Sequence, residues 1–159
     1  MLPTSITVAE QVFHLAKAVE ADLPELVGLL ADDVLGAERE GRDMQPYRMA
    51  FQEIDGDPQH CLLTVRDISG VLAGTMQLTL IPGLSRGGAK RLQIEGVRVG
   101  SSARGAGLGA ALFEWAHEYG RSRGAVFAQL TTDKRRSDAH RFYARLGYEP
   151  THEGFKLAL

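Results

Sequence analysis

Apolar positions along this chain change rhythm several times, and each change marks an element. Residues Val12 to Ala18, "VFHLAKA", read as a short strand. The following "EADLPELVGLLADDVL" turns to helical spacing, with Leu26, Val27, Leu29, Leu30 and Val34 on one face. Asp22, Glu25 and Pro24 mark the start of that helix: two acidic side chains three residues apart, with proline in the first turn. "LGAEREGRDMQ" has no sustained period and reads as a connection, after which Tyr47, Phe51 and Ile54 give a second helical stripe from Pro46 onward. "CLLTVRD" and "VLAGTMQLTLI", joined by "ISG", predict an antiparallel hairpin. "PGLSRGGAKR" is a longer loop, and "LQIEGVRV" resumes as a strand.

The second half alternates more regularly. Leu108, Ala111, Leu112, Trp115, Ala116 and Tyr119 fall on one helix face. "AVFAQLTT" reads as a buried strand, "DAHRFYARLG" as a helix stopped at Gly147, and "FKLAL" as a closing strand. A strand, crossover helix and strand between Leu92 and Thr132 predict a parallel pair with a right-handed connection. The order as a whole is mixed α and β. No internal repeat or low-complexity linker interrupts it, so residues 1–159 are expected to form a single domain.

Composition narrows the classes. Eighteen basic and twenty acidic side chains leave a net charge of −2, so no excess of positive charge points to nucleic acid or to an anionic membrane. The lone Cys61 allows no internal disulfide, which suits a reducing cytoplasm. The five histidines show no metal-ligand spacing, and no metal is expected. No apolar run is long enough to span a bilayer, and the N-terminal stretch lacks the pattern of a signal peptide.

Candidate chemistry concentrates in "VRVGSSARGAGLGAALFEWA", residues 97–116, where glycines and Arg104 lie between a strand and a helix. A helix N-terminus exposes unpaired N–H groups, and glycine lets the backbone approach phosphate oxygens closely. The stretch Arg104, Gly105, Ala106, Gly107, Leu108, Gly109 therefore has the parts of a pyrophosphate cradle. A Walker loop needs GK followed by Ser or Thr, which does not occur. Gly105, Gly107 and Ala110 satisfy a loose dinucleotide fingerprint, but only about 50 residues follow, too few for the usual series of βαβ units.

The stretch resembles the acyl-CoA-binding motif of the GCN5-related N-acetyltransferases, RxxGxG or RxxGxA after a hydrophobic strand, here Arg104, Gly107 and Gly109. "AHRFYARLGY", residues 139–148, is similar to a second motif of that family and follows in the expected order. The resemblance implies an α+β fold with a central, mostly antiparallel sheet flanked by helices, whose fourth and fifth strands run parallel and splay apart to admit acetyl-CoA. Carried over by position, the backbone of Val97, Arg98 and Val99 would hold the pantetheine arm, and residues 104–109 the pyrophosphate. The reaction implied is direct transfer of an acetyl group from acetyl-CoA, a cosubstrate, to a primary amine of a small molecule or peptide.

Glu95 is the candidate base. Strand alternation places it with Val97 and Val99, and partial burial among them is expected. The alternative is a carboxylate paired with Arg91 or Arg98. Tyr143 matches the tyrosine that protonates the CoA thiolate in many relatives, although Ala139, Phe142, Tyr143 and Leu146 also have the spacing of a packed stripe. Where relatives commonly place an asparagine seven residues before that tyrosine, this chain has Arg136, in a basic turn that either reaches the CoA 3′-phosphate or is simply solvated.

In the family the acceptor site is built from the first two helices and the loop after the third strand. The helical segment carries Asp32, Asp33, Glu38, Glu40 and Asp43, which either attract a cationic amine or form a solvated helix end. The loop carries Ser85, Arg86, Gly87 and Gly88, suited to a carboxylate. Two further readings stand beside the enzyme: a CoA-binding sensor or interaction module without turnover, and, more remotely, a nucleotide-binding oxidoreductase. Members of the family often dimerise, and the "FKLAL" strand would offer an edge for a homodimer.

Overall fold

The computed structural model describes residues 4–159, which fall into two compact units, one up to Gln129 and one from Leu130 to Leu159. The first is built on a six-stranded sheet in the order β1-β2-β3-β4-β5-β6. Its strands are β1 (Ser5–Val8), β2 (Gln11–Lys17), β3 (His60–Asp67), β4 (Leu72–Ile81), β5 (Arg91–Val99) and β6 (Phe127–Gln129). Neighbours from β1 to β5 are antiparallel, and β5 and β6 are parallel. Strand β1 is too short to show alternation in sequence. It closes a two-residue turn on β2 in which Ala9 and Glu10 both have left-handed φ, 47° and 64°.

Helices α1 (Leu23–Ala31), α2 (Val34–Arg39) and α3 (Gln45–Gly56) separate β2 from β3. Part of the stretch expected to be a connection is thus helical. The long helix expected through Val34 stops at Asp32, because the Asp33 carboxylate accepts from the Gly36 N–H and starts a second helix. The side chain of Val34 lies outside the described ones. Asp22 precedes α1 and Pro24 and Glu25 lie in its first turn as expected, although the Asp22 side chain does not cap the helix. Arg66 on β3 bridges both carboxylates, at 2.8 Å to Asp22 and 3.0 Å to Glu25. Between β4 and β5 a single turn, α4 (Ser85–Gly88), interrupts the loop.

Helix α5 (Leu108–Ser122) is the crossover between the parallel strands. Its expected face is buried at Leu108, Leu112, Ala116 and Tyr119, and half-buried at Ala111 and Trp115. A Cβ on Gly74 of β4 would meet the Leu112 side chain at 3.4 Å, and one on Gly120 would meet Leu92 of β5 at 3.1 Å. Helix α5 therefore covers the sheet face that carries Leu63, Val65, Met76, Leu78, Leu92 and Ile94, all essentially inaccessible. Ala18, Leu23, Leu26 and Phe51 form a second apolar cluster with Met44, Leu62 and Leu72.

Strand β6 is shorter and less buried than expected from "AVFAQLTT": only Phe127–Gln129 pair, and all three are half-buried. The ladder runs from Arg91↔Phe127 to Gln93↔Gln129 and stops, while β5 continues to Val99. In the second unit, α6 (Ser137–Arg145) ends at Gly147, whose φ of 88° is left-handed. The expected closing strand does not form. Residues 149–159 have no regular structure and Phe155, Leu157 and Leu159 are exposed, because nothing among the described residues pairs with their backbone.

Candidate active site

Strand β5 leads into the glycine-rich loop. Its register against β4 pairs Gln77 with Glu95 but Thr75 with Arg98, so one extra residue is inserted on β5 around Gly96, whose φ is 59°. The bulge resets the alternation. Arg98, not Val97 or Val99, shares a face with Glu95, while Val99 opposite Gly74 returns to the side of Ile94 opposite Leu78. The expectation that Glu95 lies on the face of Val97 and Val99 is thus corrected, and so is its burial: Glu95 is exposed. No hydrogen bond or ion pair reaches its carboxylate among the described residues, so it is not paired with Arg91 or Arg98.

Arg98 is held from two sides. Its Nη1 donates to the Val97 carbonyl at 2.9 Å, and its Nε lies 3.5 Å from the Asp33 carboxylate, with 17% and 25% of the two side chains exposed. Arg104 donates from Nε to the Val99 carbonyl at 3.0 Å and stands 3.4 Å from the Asp32 carboxylate. Glu40 accepts from the Tyr47 hydroxyl, whose oxygen also accepts from the Gly41 N–H. Asp43 accepts from the Gln45 N–H, so four of the five acidic residues considered for attracting an amine have partners within the chain.

After Val99 the chain makes one 3-10 turn, Ser101–Ala103, and reaches α5 through Arg104, Gly105, Ala106 and Gly107. Gly105 and Gly107 have φ of 80° and 90°, a region closed to most side chains. Among the described residues no backbone hydrogen bond outside helix α5 is donated by residues 105–110, and the first N–H groups of a helix have no partner within it. Gly107, the residue preceding α5, is exposed, and no side chain caps the helix. Left-handed glycines, unpaired donors and the helix dipole suit a pyrophosphate, so residues 104–109 fit the group that the sequence resemblance implies. Leu108 is the exception in that run, since its side chain belongs to the core.

Tyr143 lies on α6 in the second unit, half-buried, its ring 5.5 Å from Phe142 and 6.1 Å from Tyr148 in edge contacts. Burial raises the Tyr148 phenol well above its usual range, and Tyr143 adds to the shift. Arg136 precedes α6 and is exposed. Its neighbour Arg135 is taken by the Asp133 carboxylate at 2.9 Å. The sequence reading did not find Arg98 as a side chain that joins α2 to β5. Asp33, expected to attract an amine or to lie in a solvated helix end, instead caps α2 and pairs with Arg98.

A family described as acetyltransferase (GNAT) matches residues 24–148, and the chain belongs to it. An aminoalkylphosphonate N-acetyltransferase of Salmonella typhimurium is 35% identical over 120 residues, 74% of this chain and 75% of that protein. A structure described as a transcriptional regulator from Bacillus halodurans superposes with a TM-score of 0.87 at 42% identity, covering 92% of this chain and 99% of the other. Glucosamine-6-phosphate N-acetyltransferase from Arabidopsis thaliana has the same fold, with a TM-score of 0.70 at 21% identity over 92% of this chain and 97% of that one. The protein is an N-acetyltransferase of the GNAT fold, and enzymes of this family use acetyl-CoA. No helix among the described residues is long and apolar enough to cross a membrane.

Proposed function

We propose that the protein acetylates the primary amine of a small molecule, with acetyl-CoA as the donor. The observation that carries this reading is the loop from Arg104 to Gly109, with its left-handed Gly105 and Gly107 and, from residue 105 onward, N–H groups that donate no backbone hydrogen bond outside α5 among the described residues. The backbone of Val97, Arg98 and Val99 is assigned to the pantetheine arm. This is supported by the end of the β5–β6 ladder at Gln93↔Gln129, beyond which β5 has no strand neighbour on that side among the described residues. Arg136 is assigned to the 3′-phosphate.

When bound, acetyl-CoA supplies an acetyl group activated as a thioester. Glu95 acts as base: its exposed, unpaired carboxylate takes the proton that the amine loses as the new C–N bond forms. Tyr143 acts as acid, its hydroxyl giving a proton to the departing thiolate as the C–S bond breaks. No nucleophile on the enzyme is needed. The relative that acetylates an aminoalkylphosphonate supports a small molecule over a peptide as acceptor. A cytoplasmic setting agrees with one buried, unpaired thiol at Cys61. A homodimer is supported by the exposed Phe155, Leu157 and Leu159, and sedimentation at graded concentrations decides it.

Calorimetric titration with acetyl-CoA, followed by thiol release over a panel of amines, tests the reading. Binding together with thiol release that depends on an amine is expected. Absence of binding overturns it, and binding without turnover on any amine turns it into a CoA-binding module.

A further inference from the structure

Along β5, Arg91, Gln93 and Glu95 occupy one face of the sheet, ahead of the bulge. Arg91 is the ladder partner of Phe127, and the guanidinium of Arg86 stands 5.4 Å from the centre of the Phe127 ring. The Arg86 guanidinium thus lies over a half-buried aromatic ring whose ladder partner is Arg91. Gln93 and Gln129 join side chains at 2.7 Å in the next ladder pair, between Arg91 and Glu95.

The loop that carries Arg86 is shaped for this. A Cβ on Gly83 would lie 3.0 Å from the Ala89 carbonyl and 3.4 Å from Nη1 of Arg91, so the neck of the loop closes on itself and on the Arg91 side chain. Arg86, Gly87 and Gly88 follow with φ of 56°, 69° and 79°, three left-handed residues in succession. For arginine, whose Cβ disfavours that region, this is a strained conformation, and such strain persists where its surroundings impose it. Arg86, Lys90 and Arg91 have no carboxylate partner among the described residues. Lys90 donates to the Arg123 carbonyl at 2.9 Å, and Nε of Arg91 is buried without an acceptor. Lys90 is thus turned to the end of α5, and Arg86 and Arg91, left without counter-charge in a chain with a net charge of −2, call for an anion from outside.

We propose that Arg86 and Arg91 recognise an oxyanion, phosphonate or carboxylate, carried on the same small molecule whose amine is presented to Glu95. This rests on the reading of Glu95 as the base for acetyl transfer. With a strand rise of about 3.3 Å per residue, the Cα atoms of Arg91 and Glu95 are about 13 Å apart. The row therefore acts as a ruler, with the anion at one end and the amine at the other. Planar guanidinium groups suit either oxyanion, and the two are separated by experiment.

The test uses ω-aminoalkylphosphonates and ω-amino carboxylates of graded chain length, each with the matched alkylamine, on the full chain with acetyl-CoA. The wild type is expected to favour the anionic acceptor of each pair in kcat/KM. Arg86→Ala and Arg91→Met are expected to lower that ratio about tenfold or more, the size of a lost charge-assisted hydrogen bond. The larger loss identifies phosphonate or carboxylate as the preferred group. Propylphosphonate, which has no amine, is titrated separately and is expected to bind the wild type and lose affinity in both variants. An unchanged ratio in Arg86→Ala, an exposed position that leaves the fold intact, overturns the proposal even if Arg91→Met fails to fold. Equal use of anionic and neutral amines by the wild type also overturns it while leaving the acetyltransferase reading in place. Failure to bind or consume acetyl-CoA removes both.

Discussion

Nε of Arg98 stands 3.5 Å from the Asp33 carboxylate, and this pair ties the turn between α1 and α2 to the bulged strand that leads into the glycine loop. Asp33 also accepts from the Gly36 N–H, so one side chain starts a helix and holds an arginine. The two roles separate by substitution. Asn caps a helix nearly as well as Asp but carries no charge, so Asp33→Asn keeps the cap while removing the mostly buried ion pair, and should cost on the order of 2–3 kcal/mol. Asp33→Ala removes the cap as well and should cost about 1 kcal/mol more. Urea unfolding of the two variants measures the difference, and equal losses would mean that the cap contributes nothing.

Arg98 also donates to the Val97 carbonyl. If that contact sets the backbone along which pantetheine lies, Arg98→Met raises KM several-fold for acetyl-CoA and equally for acetylpantetheine, a donor without the nucleotide. An effect on acetyl-CoA alone would place Arg98 at the phosphates instead.

Gly107 gives the complementary case. At φ 90° an added Cβ would meet Val8 at 3.5 Å, an ordinary contact, so the obstacle to Gly107→Ala is the backbone and not space. The substitution should cost about 1–2 kcal/mol of stability if the loop keeps its shape. It should also weaken acetyl-CoA binding, because relaxation turns the N–H groups away. Gly70, in the β3–β4 turn at φ 83° with nothing near its Cβ position, is the control. Gly70→Ala should lose similar stability, and calorimetry should find its acetyl-CoA affinity intact. Equal binding in both variants would remove residues 104–109 from the cofactor site.

Glu95 and Tyr143 are assigned opposite proton transfers, so their variants should differ in kind. Glu95→Gln keeps the size of the side chain and should lower kcat while acetyl-CoA affinity stays near that of the wild type. Tyr143→Phe should lower kcat more than KM, as for an interaction made in the transition state. Steady-state kinetics with both substrates varied distinguishes these. Turnover near that of the wild type in Tyr143→Phe would return the residue to packing beside Phe142 and Tyr148.

The fold was legible wherever one period ran long enough. Strands β2 to β5 and helices α1, α3, α5 and α6 follow from alternation or from stripes at helical spacing. The parallel pair followed from a strand, helix and strand in order. What escaped was set by single residues and by pairing. Asp33 divides a continuous apolar stripe, Gly96 inserts a bulge that moves Arg98 onto the face of Glu95, and "FKLAL" has the composition of a strand without a partner. The left-handed loop at Gly105 and Gly107 was readable because glycine content reports backbone geometry directly. Arg86 was named from its loop, but its place over Phe127, 41 positions away and the ladder partner of Arg91, was not, because no local pattern encodes that register.

His117 on α5 gives a pH dependence with a definite sign. Burial and the neighbouring Arg121 lower its pKa below 6.5, while Glu114 and Glu118 oppose the shift. The folded protein therefore favours the neutral ring. Below the unfolded value of about 6.5 the unfolded chain binds the proton first, so the stability associated with this group is fully present above that pH and is lost as pH falls toward the lower folded value. His117→Gln, which cannot titrate, should unfold with a midpoint that falls less steeply than that of the wild type as the pH drops below about 6.5. Because the ring is only partly buried, with an edge contact to Phe113 at 6.1 Å, the difference should be small but reproducible in thermal melts. Parallel slopes below that pH would show that His117 titrates alike in both states.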